Sequence, residues 1–271
     1  MQTAASIIAG WKWTTVEGYS SMAFSGIAWY NSMELVVLCF IAFKRYQGCY
    51  FWSLLVSSIS VAVHILGFLL LILATRVPPY FSLTLAISGW CAMVTGQSLV
   101  LWSRLHLVHR NPKVIRALLW MIIIDAILLS VPTLVLAFGA MSPHTELFAR
   151  GYNIMEQVQL VGFCVQESIL SGIYIWETLK LLWLRTDGWR HKILIQLLII
   201  NAIILILDVS VVAVQYAGFY AVQVPLKAAS YSVKLKLEYA ILNKLIRISK
   251  PSILLPRSPP SSANHSSSTY S

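Results

Sequence analysis

Lys227, Tyr231, Lys234 and Glu238 follow one another at intervals of four, three and four residues. At 100° per residue that spacing puts all four on one narrow stripe of a helix. The residues between them are mostly Leu, Val, Ala and Ser, in the stretch "LKAASYSVKLKLEYAIL". Lys234 and Glu238 are helix neighbours and can pair. Ionisable groups inside a membrane segment also mark functional sites. The pair therefore reads either as a structural brace or as part of a site. Lys236 points the opposite way, and its stem can snorkel to one end of the span.

Other carboxylates have similar surroundings. Glu34 stands three residues after Asn31 in "AWYNSMELVV", and Asp125 interrupts "MIIIDAILLSVP". Glu156, Gln159, Phe163, Gln166, Glu167, Ser171, Tyr174 and Glu177 share one helical face, with Glu167 near its middle. Asn201, Asp208 and Gln215 recur every seven residues, and Ser57, Ser60 and His64 line up on another segment. Two lysines and His64 cannot neutralise so many acids, so some are held as neutral carboxylic acids. A neutral acid in an apolar chamber can donate a proton. The same side chains can also serve only to hydrogen-bond one helix to another. Trp29, Tyr30, Trp90, Phe163, Tyr174, Tyr216 and Tyr231 lie in the same neighbourhoods, where their π-faces can stabilise a cation or simply pack.

The elements that carry these residues are long and apolar. The chain has 271 residues, 58% of them hydrophobic and only 11% charged, with mean hydropathy +0.74. A soluble domain carries roughly a quarter charged residues. A bilayer-crossing helix needs about 20 mostly apolar residues. Seven segments meet that requirement approximately: 22–43, 50–75, 80–103, 115–139, 152–179, 192–216 and 219–243. "TRVPPY", "HRNPK", "MSPH" and "RTDGWRHK" punctuate them. The expected fold is all-α, a seven-transmembrane-helix bundle. A short segment 1–21 precedes the membrane domain 22–245, and a Pro/Ser-rich, disordered tail 246–271 follows it.

The net charge is +10. Fourteen of the twenty basic residues fall after spans one, three, five and seven, and three (Lys12, Arg76, Arg150) fall on the other side. Lys/Arg excess marks the cytosolic face. The N-terminus is therefore expected outside or in the lumen and the C-terminus in the cytosol, with no call for nucleic acid. The expected setting is a multi-pass protein of the endoplasmic reticulum, its first span acting as targeting signal. The one N-glycosylation pattern, Asn264-His265-Ser266, should then stay unmodified. Cys39, Cys49, Cys91 and Cys164 have no metal-site spacing and read as small core residues.

Nucleotide-binding glycine motifs, HExxH, GxSxG, DDxxD and DxDD are all missing. The microbial-rhodopsin DxxxK spacing is missing too. "GQSLVLWSRLHLV" (Gly96–Val108) and "YSVKLKLEYAILNKL" (Tyr231–Leu245) resemble a family of fungal seven-helix membrane proteins. The likeness runs from span one through span seven. That family includes the membrane-bound terpene cyclases of the ascofuranone and ascochlorin pathways. The resemblance implies cyclisation of a prenylated aromatic compound bearing a terminal epoxide, with no metal or organic cofactor. It transfers no catalytic residues.

On the residues themselves, Glu34 or Asp125 is the expected acid, with Glu167 and Asp208 as partner and base. Trp29, Tyr30, Trp90, Phe163, Tyr174 and Tyr231 would steady the cation, and Lys234–Glu238 would brace the bundle. Two other readings stand beside this one. A receptor-like heptahelical protein would use Arg104, which ends span three in "WSRLH", although NPxxY is missing. A transporter would use the carboxylates and His64, although no inverted repeat is visible.

Overall fold

The structure is a computed structural model, and it describes residues 15–42, 48–73, 76–108, 111–140, 145–184, 188–217 and 220–249. Seven helices account for nearly all of them: α1 (Thr15–Ala42), α2 (Cys49–Leu73), α3 (Pro79–Val108), α4 (Pro112–Gly139), α5 (Thr145–Leu184), α6 (Gly188–Ala217) and α7 (Tyr220–Ser249). No strand occurs among the described residues. The helices coincide with the seven expected segments and run beyond them at most ends. α1 begins seven residues before position 22, and α5 extends over 40 residues. The tail 250–271, with Asn264, lies outside the described residues.

α1 to α6 are each long and apolar enough to cross a membrane. Lys227, Lys234, Lys236 and Glu238 keep α7 from meeting that criterion on composition alone. This composition suits a lipid bilayer and a multi-pass protein. In lipid every backbone polar group must be satisfied within its own segment, so apolar runs of this length fold as helices. α4 shows the local signals well. Asn111 caps it by accepting from the Lys113 N–H at 3.1 Å, and Pro112 occupies the first turn, where no N–H is needed.

Each helix packs on the next in the chain, and α1 closes the ring against α7. α3 and α7 are the most embedded: α3 touches α2, α4, α5 and α7, while α7 touches α1, α2, α3 and α6. The closest pairing is α2 with α3. Gly67 lies directly against the Ala86 backbone, and a Cβ on Gly89 would come 2.6 Å from the His64 backbone nitrogen. Small residues at such crossings let helix backbones approach each other in lipid. His64 sits in this seam, its Nδ1–H donating to the Ala86 carbonyl at 2.7 Å. The main apolar core runs from Ala28 and Leu35 on α1 through Trp90 and Phe163 to Tyr231 and Leu235 on α7.

Candidate functional site: a carboxyl pair on one buried lysine

α7 is the spine of the site. Its stripe faces three helices, and Tyr231 and Lys234 meet on the same carboxyl group, that of Glu167. Lys227 donates to Glu156 Oε1 of α5 at 2.8 Å, and Gln223 donates to the same oxygen at 3.1 Å. One turn on, the Tyr231 hydroxyl donates to Glu167 Oε1 at 3.1 Å. Lys234 then donates to Glu167 Oε2 at 2.8 Å and to Asp208 Oδ1 of α6. Finally Glu238 receives Arg104 of α3, with Nη2 donating to Oε1 at 2.7 Å and Nε 2.6 Å from Oε2.

The middle group is the deepest. Lys234 and Glu167 are fully buried, and Asp208 is nearly so. A buried charge must be paired to be tolerated. Lys234 answers that need only partly, because two carboxyl groups share one ammonium. The group reaches neutrality when it keeps one proton. Both Glu167 oxygens are occupied, by Tyr231 and Lys234. Asp208 Oδ2 is buried and has no hydrogen-bond partner among the described residues. By that count Asp208 is the acid with a free oxygen. The Lys234 ammonium lies 4.1 Å from the Tyr231 ring centroid, and that ring meets Trp90 edge-to-face at 5.8 Å. Phe163, on α5 one turn before Glu167, belongs to the same apolar core.

Amide side chains extend the polar interior. Gln166 donates to Ser98 Oγ at 2.8 Å, and Asn201 donates to the Ser171 carbonyl at 3.1 Å. Gln215 and Gln223 bond each other on the Lys227 side. The seven-residue spacing of Asn201, Asp208 and Gln215 thus places three buried polar residues along the inner face of α6.

The sequence-based candidates separate into three places. Glu167, Asp208, Tyr231 and Lys234 come together with Trp90 beside them. Glu34 lies elsewhere, half-exposed, where Lys236 donates to its Oε2 at 2.5 Å and to Asn31 Oδ1 at 2.9 Å. Tyr30 is on that rim, 5.5 Å from the Lys236 ammonium, and Trp29 packs on the core edge. Asp125 is in neither place. It lies partly exposed on α4, with no hydrogen bond or ion pair among the described residues. Tyr174 stacks under the Arg104 guanidinium at 4.9 Å, away from the carboxyl pair. Tyr216 is exposed.

Three expectations change. Lys234 and Glu238 do not brace each other, because each finds a closer counter-charge on another helix. The spacing placed them correctly on one face but could not show that α3 delivers Arg104 one turn below Lys234. Arg104, expected as a loop-end charge, is 1% exposed and paired with Glu238, with the Tyr50 hydroxyl donating to the Glu238 carbonyl beside it at 3.0 Å. Its signal was present: Trp90, Gln97 and Arg104 recur at seven-residue intervals on α3 and are all buried. All four cysteines are free; Cys39 is buried and Cys49 exposed, so Cys49 is not a core residue. No cluster of three metal-ligating side chains occurs among the described residues.

No curated protein and no solved structure matches the chain. One family model does match, over residues 12–260, and with nearly the whole helical region covered the chain belongs to the DUF7703 family, whose description is a domain of unknown function.

Proposed function

We propose that the chain is a membrane-embedded acid–base catalyst, a metal-independent terpene cyclase acting on an epoxidised prenyl chain. The observation that carries the reading is the free Asp208 Oδ2 in a buried group with one carboxyl in excess. In this assignment the protonated Asp208 gives its proton to the epoxide oxygen, and the C–O bond breaks. The alkenes of the chain then attack the carbocation in turn. Tyr231, Trp90 and Phe163 supply π-faces, and the burial of the group excludes water, which would otherwise quench the cation. Glu167 or the Asp208 carboxylate takes the final carbon-bound proton, so product and substrate are isomers. Glu34 and Asp125 have no part in this chemistry. The likeness of Gly96–Val108 and Tyr231–Leu245 to the fungal seven-helix membrane family that includes such cyclases supports the same reading. The basic-residue asymmetry supports seven spans with the N-terminus lumenal, and we place the protein in the endoplasmic reticulum.

The test uses microsomes containing the full chain and a farnesylated phenol with a terminal epoxide. The expected result is a protein-dependent isomer of equal mass, lost in Asp208→Asn and kept in Glu34→Gln and Asp125→Asn. No isomer from folded protein across a panel of epoxides would overturn the cyclase. Turnover surviving Asp208→Asn would overturn the assignment of the acid.

One observation favours a second, receptor-like reading. The buried Arg104–Glu238 pair ties α3 to α7, and an ionic tie between helices can hold one of two packings. In that case Glu238→Gln would raise coupling to a G protein without ligand, and a cyclase would show no such coupling.

A further inference from the structure

Toward the end of the bundle where α6 passes into α7, a second polar group stands beyond the carboxyl pair and takes no part in proton transfer. Lys227 and Gln223 of α7 both donate to Glu156 Oε1 of α5, at 2.8 and 3.1 Å, and Gln223 also bonds Gln215 of α6. The Lys227 ammonium lies 5.3 Å from the centroid of the Trp90 ring on α3, and that ring lies 5.7 Å from the His64 ring of α2. Gln159 follows Glu156 by three residues on the same face of α5. Five helices thus meet at one polar group, and Glu156, 18% exposed, is at its edge.

The hydrogen bonds of this group leave several of its atoms over. Gln159, Gln215 and Gln223 are each 1% exposed, and His64 is 6% exposed. Gln159 Nε2, Gln215 Nε2, Gln223 Oε1 and His64 Nε2 are buried and have no hydrogen-bond partner among the described residues. Buried polar atoms normally have one. The two amide nitrogens are donors. The Gln223 oxygen is an acceptor, and so is His64 Nε2, because its Nδ1–H already serves the Ala86 carbonyl. Lys227 and Glu156 cancel each other's charge. Two donors and two acceptors in a neutral setting suit an uncharged group that both gives and takes a hydrogen bond, as a hydroxyl does. An anion would meet Glu156 and the acceptors, and a cation would meet Lys227 and the donors. Trp90 adds a flat aromatic wall, and it also meets Tyr231, at 5.8 Å, beside the carboxyl pair.

We infer that this group binds the hydroxylated aromatic head of the substrate, with Gln159, Gln215, Gln223 and His64 as specificity residues and Trp90 against the ring. The inference rests on the cyclase reading and adds to it where the far end of the molecule is held. Lys227 precedes Lys234 by seven residues, and Gln215 follows Asp208 by seven. On both helices the group is therefore about 10 Å from the carboxyl pair. A chain of a few isoprene units bridges that separation. With the hydroxyl held here, the chain passes Trp90 and Tyr231, and its epoxide end reaches Asp208.

The test is calorimetric binding to the full chain in detergent. The probes are a farnesylated phenol without an epoxide, and farnesylated benzene, which lacks only the hydroxyl. Wild type should bind the phenol about tenfold more tightly, the scale of one or two hydrogen bonds. Gln159→Leu and Gln215→Leu should each remove most of that preference and leave the affinity for farnesylated benzene unchanged. Amides that only hold the helices together would change both affinities alike. Asp208→Asn should keep the phenol affinity, since the hydroxyl is held away from the carboxyl pair. Equal affinity for the two probes in folded wild type, as a group that holds only water would give, would overturn the inference, and so would binding of neither. Variants that weaken both probes alike, or that spare the phenol, would overturn it too. The two readings fail separately. Phenol selectivity of this kind with no isomer from any epoxide would sink the cyclase and keep the head site. Cyclisation of the epoxides of both probes with equal kcat/KM would do the reverse.

Discussion

Lys234 carries more of the interior than any other residue, because two carboxyl groups lean on it. Lys234→Met leaves both in a site closed to water. Removing one partner of a buried ion pair costs about 3–5 kcal/mol. A loss of that size is expected in the thermal unfolding of Lys234→Met in detergent. Adding Glu167→Gln and Asp208→Asn removes the orphaned charges and should restore much of the melting temperature while abolishing turnover. If the triple variant melted as low as Lys234→Met, ion pairing would not be what holds these helices together. Arg104 and Glu238 make a second, separate pair. Arg104→Met alone should destabilise, and Arg104→Met with Glu238→Met should recover much of that loss, because the second change removes the orphaned carboxyl.

At the scale of the helix, the α2–α3 seam is the least forgiving. Gly89→Val would drive a side chain into the His64 backbone, and such overpacking costs about 1–3 kcal/mol. Gly26→Ala on α1 meets nothing within 4 Å and should be neutral or slightly stabilising. Comparing the two melting temperatures checks the seam. The helices themselves could be read from the sequence because runs of about 20 apolar residues have few other uses. Their ends could not, because the extension of α5 back to Thr145 is more polar than a span and carries no hydropathy signal. The face of α7 was legible for a related reason. Period 3.6 tells which residues look the same way, and so it placed Tyr231, Lys234 and Glu238 together. It says nothing about which helix arrives opposite, which is why Arg104 was missed and a local Lys234–Glu238 pair was expected. Asp125 shows the same gap in reverse: a central acid in an apolar run looks alike whether it faces the bundle or the lipid.

For the whole molecule, the seven helices form a ring that closes only when the last meets the first. The basic residues sort to alternate loops, and the orientation proposed from them has the C-terminal tail in the cytosol. In that orientation Asn264 carries no glycan in a secretory host, while an acceptor site placed before Thr15 does. A glycosidase-sensitive mass shift at Asn264 would reverse the topology.

α7 also bears on how the chain enters the membrane. A lysine at the centre of an inserting helix opposes insertion by about 2.5–3.5 kcal/mol. α7 carries Lys227, Lys234 and Lys236, and α7 is the last of the seven helices to leave the ribosome. Its counter-charges are already in place by then, on α1, α5 and α6. The earlier helices thus carry the acidic partners that the lysines of α7 meet in the finished fold. With Glu156, Glu167 and Asp208 replaced by amides, a reporter fused after Ser249 should be found on the opposite side of the membrane in a large share of chains. The ion pairs that order the finished interior would then also decide whether the seventh helix crosses at all.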